Sequence, residues 1–175
     1  MKMSRKKILL ALAGGLSALL SGCGGGGSRL SEMECMQRAM YFESVRSSRE
    51  GMIAVGSVVM NRVNSGQYPR SVCGVVGQKN QFAPGVLTKP MSDRSVPLVR
   101  EAARAVMRGE RHPQIGNAMF FHAANRRFGY DNMHYVLVAG GNAFYEKRRP
   151  ELVTQPVPPQ PGRRAGSGGF FRLPF

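Results

Sequence analysis

One acidic residue, Glu43, occupies a position in its predicted helix where a carboxyl group can do chemistry. Ser31 and Glu34 form a capping-box pattern, which predicts a helix from there to about Glu43 or the residue after it. At 100° per residue, Glu43 falls about 20° from Met36 and about 40° from Ala39 on the helical wheel. We therefore expect Glu43 to project from the side of the helix that faces the core.

The chemistry that suits such a carboxyl group is proton transfer. Beside apolar side chains the charged form loses hydration, so the pKa rises. A carboxyl group that is still protonated near neutral pH can give its proton to the leaving oxygen of a glycosidic bond. The alternative is a structural role, in which Glu43 pairs with Arg46 or Arg62.

The other acidic residues have ordinary explanations. Glu34 and Glu50 are expected to cap helices, and Glu32 lies in a first helical turn, where the helix dipole favours an acid. Two-carboxylate glycosidases need a second acid. Asp131, in the sequence Gly-Tyr-Asp-Asn, is the best remaining candidate for that role, and a turn residue is its alternative role.

The N-terminal region predicts export. A basic head precedes an apolar run at 8–20, which is shorter than the roughly 20 residues needed to span a bilayer. The sequence Leu-Ser-Gly-Cys at 20–23 then resembles the lipobox of bacterial lipoproteins. We interpret 1–22 as a signal peptide, Cys23 as the lipidation site and 23–29 as a glycine-rich tether.

The two remaining cysteines, Cys35 and Cys73, predict a disulfide. Exported proteins live where disulfides persist, and acylation of Cys23 leaves one possible pair. The alternative makes Cys73 a nucleophile with His122 as its base, which would give a peptidase.

Charge and composition limit the partners and the extent of the folded part. The formal net charge is +15, which favours anionic surfaces. Export argues against nucleic acid, so we expect lipid head groups and wall polymers, with solubility alone as the alternative. The folded domain is expected over 30–149. Residues 150–175 are rich in Pro, Gly and Arg and lack a periodic pattern, which predicts a mobile tail.

The elements that must position these residues are helices first and strands later. Ser47 and Glu50 predict the start of a second helix to about Val63, which is apolar nearly all round and therefore central. A third helix is predicted from Ser95 to Gly109. Short strands are predicted at 118–122 and 135–138, and a Gly-Gly turn precedes an aromatic pair at 144–145. This order indicates an α+β domain, mainly helical with a small antiparallel β element.

Several short motifs follow one another between residues 35 and 82. They are C-x-x-R-A-M-Y-F-E at 35–43, E-G-M-I-A-V at 50–55, V-V-M-N-R-V at 58–63, Y-P at 68–69, V-C-G-V-V at 72–76 and Q-F at 81–82. In this order they resemble the cell-wall hydrolase family of the spore cortex-lytic enzyme SleB. A weaker similarity continues at 120–123 and 140–145.

The resemblance implies a lysozyme-like fold and a lytic transglycosylase activity on peptidoglycan glycan strands. The bond cleaved would join MurNAc to GlcNAc, and the product would carry a 1,6-anhydro-MurNAc end. Glu43 would be the acid that protonates the glycosidic oxygen and the base that accepts the proton of the muramic 6-hydroxyl. Candidate substrate contacts, each with a structural alternative, are Tyr41, Asn61, Gln81, His122, Asp131 and Tyr145. A monomer without metal or cofactor is expected.

The chain also departs from the family pattern. The family usually has Glu-Ala-Arg-Gly-Glu after the aromatic residue, whereas this chain has Glu-Ser-Val-Arg-Ser at 43–47. It has no tryptophan, and the usual histidine before the final Phe-Tyr is missing around Asn142. These changes motivate a second hypothesis, a catalytically inactive lipoprotein that binds peptidoglycan or acts as a scaffold. Gly24 is not an aspartate that would retain the lipoprotein at the inner membrane, so the periplasmic side of the outer membrane is expected in a Gram-negative host.

Overall fold

The computed structural model describes residues 29–44 and 48–160, and this part of the chain forms four α-helices and a three-stranded sheet. The predicted α+β class is therefore confirmed. The elements are α1 (Glu32–Glu43), α2 (Arg49–Asn64), α3 (Val72–Val76), α4 (Val96–Met107), β1 (Phe120–Ala123), β2 (Met133–Ala139), β3 (Asn142–Lys147) and a 3-10 turn (Pro150–Leu152).

The start of α1 is the capping box that the sequence predicts. The Ser31 hydroxyl accepts the Glu34 N–H at 3.2 Å, and the Glu34 carboxylate accepts the Ser31 N–H at 2.8 Å. Glu32 lies in the first turn of α1, as predicted, but it also contacts α3. Its carboxylate accepts the backbone N–H of Val72, and that of Cys73 at 3.4 Å, so it caps α3.

The predicted disulfide between Cys35 and Cys73 is confirmed. It joins α1 to α3 close to the Glu32 contact. Because the Cys73 sulfur is bonded to Cys35, it is not a thiolate nucleophile, and the peptidase alternative with His122 is wrong.

The central position of α2 is also confirmed, since residues around most of its circumference are buried. Its start differs from the prediction. The cap is Ser48, whose hydroxyl accepts the Gly51 N–H at 3.0 Å, whereas Ser47 lies outside the described residues. Glu50 does not cap the helix but lies 3.2 Å from the Nε2 atom of the buried His112.

Two further details of the helices differ from the prediction. Ser95 precedes α4 as expected, but its hydroxyl donates to Asp93 at 2.5 Å instead of capping the helix. The five-residue helix α3 has no counterpart in the sequence analysis. It begins after Ser71, whose hydroxyl accepts the Gly74 N–H at 3.0 Å.

The sheet has the order β1-β3-β2, and both pairings are antiparallel. One face joins the helical core through Phe121, Leu137 and Phe144. The other face carries a second, smaller cluster built on Met133 and Tyr135. The helices therefore cover one side of the sheet, and the second side is available for a site.

The turn between β2 and β3 packs directly on α2. Gly140 and Gly141 have φ angles of 54° and 80°, which glycine adopts without strain. A Cβ atom on Gly51 would lie 2.3 Å from the Cα atom of Gly140. This contact between two backbones sets where β3 begins.

The chain continues to pack on the domain beyond residue 149, the predicted end of the folded part. The Tyr135 N–H donates to the Gln155 carbonyl at 2.9 Å, and the Thr154 N–H donates to Nδ1 of His134 at 3.3 Å. Thr154 and Gln155 therefore contact β2, which corrects the expectation of a tail that is mobile from 150 onward. The signal peptide at 1–22, Cys23 and residues 161–175 lie outside the described residues. In the described part, no helix is long and apolar enough to cross a membrane.

Candidate active site

Glu43 is the last residue of α1 and is held from two sides. Its carboxylate accepts the backbone N–H of Ala83, in the loop that follows α3. Its backbone carbonyl accepts the side-chain amide of Asn142 at 2.5 Å, at the start of β3. Helix, loop and sheet therefore meet at this residue, which is half-buried.

Burial raises the pKa of the Glu43 carboxyl group above its ordinary value, because the charged form loses hydration. The Ala83 N–H and the positive charge of Arg62 act in the opposite direction and are smaller influences. The result is a carboxyl group that holds its proton to a higher pH than an exposed glutamate. Once the proton has left, the Ala83 N–H and the charge of Arg62 stabilise the carboxylate.

Arg62 is the cation of this site, and it is only 3% exposed. Its Nε atom donates to the Met119 carbonyl at 2.8 Å, and its guanidinium group lies over the rings of Tyr68 and Phe82, at 5.2 and 5.5 Å. No residue of the described part accepts a hydrogen bond from its buried Nη1 atom. Burial lowers the pKa of Arg62, while Tyr68, Tyr145 and Glu43 raise it.

From the sequence, Arg62 was expected only as a candidate ion-pair partner of Glu43. No ion pair within 4 Å joins the two residues, both of which the structure describes, so Arg62 acts on Glu43 through space. The other predicted partner, Arg46, lies outside the described residues. The sequence feature that could have indicated Arg62 as a site residue is its position in the last turn of an almost wholly apolar helix.

The structure brings Tyr145 and His122 together on the sheet face away from the helices. The ring centroids of the two residues are 5.8 Å apart, and Nε2 of His122 lies 2.8 Å from the Tyr135 hydroxyl. Burial raises the pKa of Tyr145, with smaller contributions from tyrosines that include Tyr130 and an opposing one from Arg62. The Tyr145 hydroxyl therefore lies within electrostatic range of the Arg62 charge.

Three other predicted contacts have structural surroundings or lie at the edge of the site. Tyr41 is 4% exposed, and its hydroxyl accepts the Ser92 N–H at 3.4 Å. The Asn61 amide donates to the carbonyls of Gly116 and Ala118, both at 2.9 Å, and so holds the segment before β1. Gln81 is exposed, two residues before the Ala83 N–H that contacts Glu43.

Asp131 is exposed in the turn before β2. It precedes Met133, which pairs with Lys147 at the opposite end of β3 from Asn142. The charges that shift the pKa of Glu43 do not include that of Asp131. Within the described residues, the structure thus shows no interaction of Asp131 with Glu43 of the kind that a second catalytic carboxyl group would need.

The described residues do not bring three His, Cys, Asp or Glu side chains close enough to hold a metal ion. The chemistry of the candidate site lies with one carboxyl group, one guanidinium group and aromatic side chains.

The model of the cell wall hydrolase family matches residues 46–145, a range that contains Arg62 and Tyr145 and begins just after Glu43. A spore cortex-lytic enzyme from Oceanobacillus iheyensis is 30% identical over 93 residues, or 51% of this chain and 32% of the relative. One from Bacillus subtilis is 35% identical over 57 residues, or 33% of this chain and 19% of the relative. The chain thus spans about a third or less of the curated relatives that it matches.

Solved structures share the fold. The catalytic domain of the Bacillus cereus SleB protein matches with a TM-score of 0.55 and 24% identity, covering 69% of this chain and 100% of that one. The catalytic domain of the germination-specific lytic transglycosylase SleB from Bacillus anthracis matches with a TM-score of 0.54 and 23% identity, covering 69% and 98%. The architecture implied by the sequence motifs is confirmed.

Proposed function

Because this chain belongs to the cell wall hydrolase family, we propose that it is a peptidoglycan lytic enzyme with Glu43 as its general acid and base. One observation carries the assignment of the residue. Glu43 is a half-buried carboxyl group with a raised pKa at the junction of helix, loop and sheet, beside a buried cation. A carboxyl group that holds its proton to a higher pH than an exposed glutamate is suited to give that proton to a leaving oxygen.

The reaction we propose is a transglycosylation between MurNAc and GlcNAc. Glu43 gives its proton to the glycosidic oxygen, the bond from that oxygen to the anomeric carbon of MurNAc breaks, and GlcNAc leaves with a free 4-hydroxyl. The muramic 6-hydroxyl forms the new bond to the same carbon and gives its proton to Glu43. The product is a 1,6-anhydro end, and Glu43 returns to its starting state.

The surroundings of Glu43 support both halves of this cycle. Burial favours the protonated acid that begins it. The Ala83 N–H and the Arg62 charge favour the carboxylate that exists between the two proton transfers. Asp131 is exposed and is not among the charges that influence Glu43, which supports a mechanism that needs one carboxyl group rather than two.

The test is a digest of purified peptidoglycan by the full-length protein, with products read by mass spectrometry. Glu43→Gln should lower the rate of glycan release by about a hundredfold or more, because a positioned general acid contributes about 10²–10⁴. Asp131→Asn is the matched control and should release glycan at the rate of the unmodified protein.

Three results would change the proposal. Equal release by Glu43→Gln and the unmodified protein would remove Glu43 from the catalytic role. Reducing MurNAc ends in place of 1,6-anhydro ends would mean hydrolysis and a second group that activates water. Binding to peptidoglycan without release by either form would favour the inactive scaffold.

We also propose that the protein is anchored through a lipidated Cys23 and faces the wall, on the periplasmic side of the outer membrane in a Gram-negative host. The apolar run and lipobox-like sequence at 8–23 support this, as does the disulfide, which suits an oxidising compartment. Cys23→Ser should release the protein from the membrane fraction and abolish labelling by a fatty-acid probe. Unchanged acylation of this variant would contradict the anchor.

A further inference from the structure

The loop between β1 and β2 exposes two aromatic side chains. Phe128 is 45% exposed and Tyr130 is 68% exposed, and within the described ranges they are the aromatic residues with the greatest exposure. Their ring planes differ by 14° and their centroids are 6.1 Å apart. We call this pair the aromatic platform. Exposed apolar side chains that cluster in this way mark contact surfaces more often than isolated ones do.

The aromatic platform packs on a side chain of the sheet. The Phe128 ring meets the His122 ring edge to face, with centroids 4.8 Å apart. His122 is itself held by two contacts, with the Tyr135 hydroxyl at 2.8 Å and the Ala123 carbonyl at 3.0 Å. The two exposed rings thus have a fixed base on the sheet, and a ligand that binds there need not order the loop first.

The platform lies on the sheet face that also carries Tyr145. The Tyr145 ring contacts the His122 ring that supports Phe128, with centroids 5.8 Å apart. Tyr145 also interacts electrostatically with Tyr130 and with the buried Arg62, the cation that lowers the pKa of Glu43. Ring contacts therefore link the platform to Tyr145, a candidate substrate contact.

We propose that Phe128 and Tyr130 form a binding subsite for a pyranose ring of the glycan strand that Glu43 cleaves. This inference rests on the proposed function. A hexosamine ring has an apolar face of C–H groups and a rim of hydroxyl and acetamido groups. The ring faces of Phe128 and Tyr130 can pack on the C–H face of the sugar. The Tyr130 hydroxyl can hydrogen-bond the hydroxyl or acetamido groups at its rim.

The first experiment measures binding in the Glu43→Gln background, so that no substrate is cut. The probes are purified peptidoglycan and glycan strands from which an amidase has removed the stem peptides. The double variant Phe128→Ala/Tyr130→Ala should bind both probes about tenfold more weakly, the effect of losing favourable aromatic contacts. Tyr130→Phe keeps the ring and should retain most of the affinity.

The second experiment measures kinetics with Glu43 intact. The double variant should raise KM about tenfold at nearly unchanged kcat, because the platform binds sugar but touches no reacting atom. Met107→Ala is the matched control. It removes an exposed apolar side chain from α4, which packs on α1 and α2, and should change neither constant.

The outcomes separate this inference from the function on which it rests. Unchanged binding and KM in the double variant would overturn the platform, while loss of release in Glu43→Gln would still support the catalytic assignment. Weaker binding in the Glu43→Gln background would support the platform even if Glu43 proved not to be the acid. Binding to intact peptidoglycan but not to stripped strands would assign the surface to stem peptides and overturn the sugar subsite.

Discussion

Alanine at position 51 should destabilise this protein, although alanine is the better helix former. Gly51 lies in the first turn of α2, and the substitution should gain up to about 1 kcal/mol of helix propensity there. Its new Cβ atom, however, would lie 2.3 Å from the Cα atom and 2.9 Å from the N atom of Gly140. Both are backbone atoms and cannot rotate away, so α2 and the β2–β3 turn must separate.

The magnitude follows from these two opposing effects. Overpacking typically costs about 1–3 kcal/mol, and a contact between two backbones belongs at the upper end. After the gain in propensity, Gly51→Ala should lower the free energy of unfolding by about 1–2 kcal/mol. For a domain of this size that corresponds to a fall in Tm of roughly 4–8 °C.

Alanine substitutions at three other glycines distinguish the effect of close contact on stability from the effect of backbone strain. Gly66 has a φ of 73° and no atom within 4 Å of its added Cβ, so alanine there adds strain alone, about 1 kcal/mol. Gly140 has both strain and contact, with its added Cβ 2.5 Å from the Cα atom of Gly51. Gly129 has neither, and Gly129→Ala should leave Tm unchanged. The largest loss is expected for Gly140→Ala.

The assay is thermal and urea denaturation of the four variants, followed by far-UV circular dichroism, together with the rate of glycan release. Because Asn142 follows the displaced turn and donates to the Glu43 carbonyl, Gly51→Ala should lose activity at temperatures where it is fully folded. An unchanged or raised Tm for Gly51→Ala would refute the reasoning, since propensity would then outweigh the contact.

Three further predictions concern charge and the covalent link. The pKa of Glu43 is raised in the folded state, so its contribution to stability is present at low pH and is lost as pH rises through that pKa. Glu43→Gln should therefore be more stable than the unmodified protein at neutral pH in urea denaturation, and a constant difference from pH 4 to 8 would contradict this. Arg62→Met removes a charge that lowers the pKa of Glu43, so the alkaline limb of kcat/KM should move to higher pH; a limb that stays in place would exclude the effect. Reducing the Cys35–Cys73 bond should lower the free energy of unfolding by about 3–4 kcal/mol, measured by urea denaturation with and without reductant, and no change would mean that the link is dispensable.

Features encoded by local patterns could be predicted from the sequence. The capping box at Ser31 fixed the start of α1, and helical periodicity placed Glu43 on its core-facing side. The apolar circumference of α2 indicated its central position. In each case the physical cause lies within a few residues of the effect, which is the range that a spacing argument covers.

Features that depend on contacts distant in sequence were missed. The prediction for Glu32 was an interaction with the dipole of its own helix, but its carboxylate caps α3, forty residues away. Arg62 gained its role from Tyr68, Phe82 and Tyr145, which only the tertiary fold collects around it. The short α3 spans too few turns to show a period. Asp131 was a candidate because of its charge, whereas the exposed ring of Tyr130 beside it was not recognised.

The two contacts that join α1 to the segment 72–83 leave that segment free to vary in length. Glu32 accepts the Val72 N–H at one end, and Glu43 accepts the Ala83 N–H at the other. Eleven residues of helix rise about 16 Å, whereas eleven residues of extended chain can reach about 36 Å. The segment therefore carries more chain than it needs, and the helix α3 and the turns at 77–81 take up the surplus. Residues can be inserted, deleted or exchanged in those turns while both contacts to α1 stay in place, so Glu43 keeps its position when the loop changes.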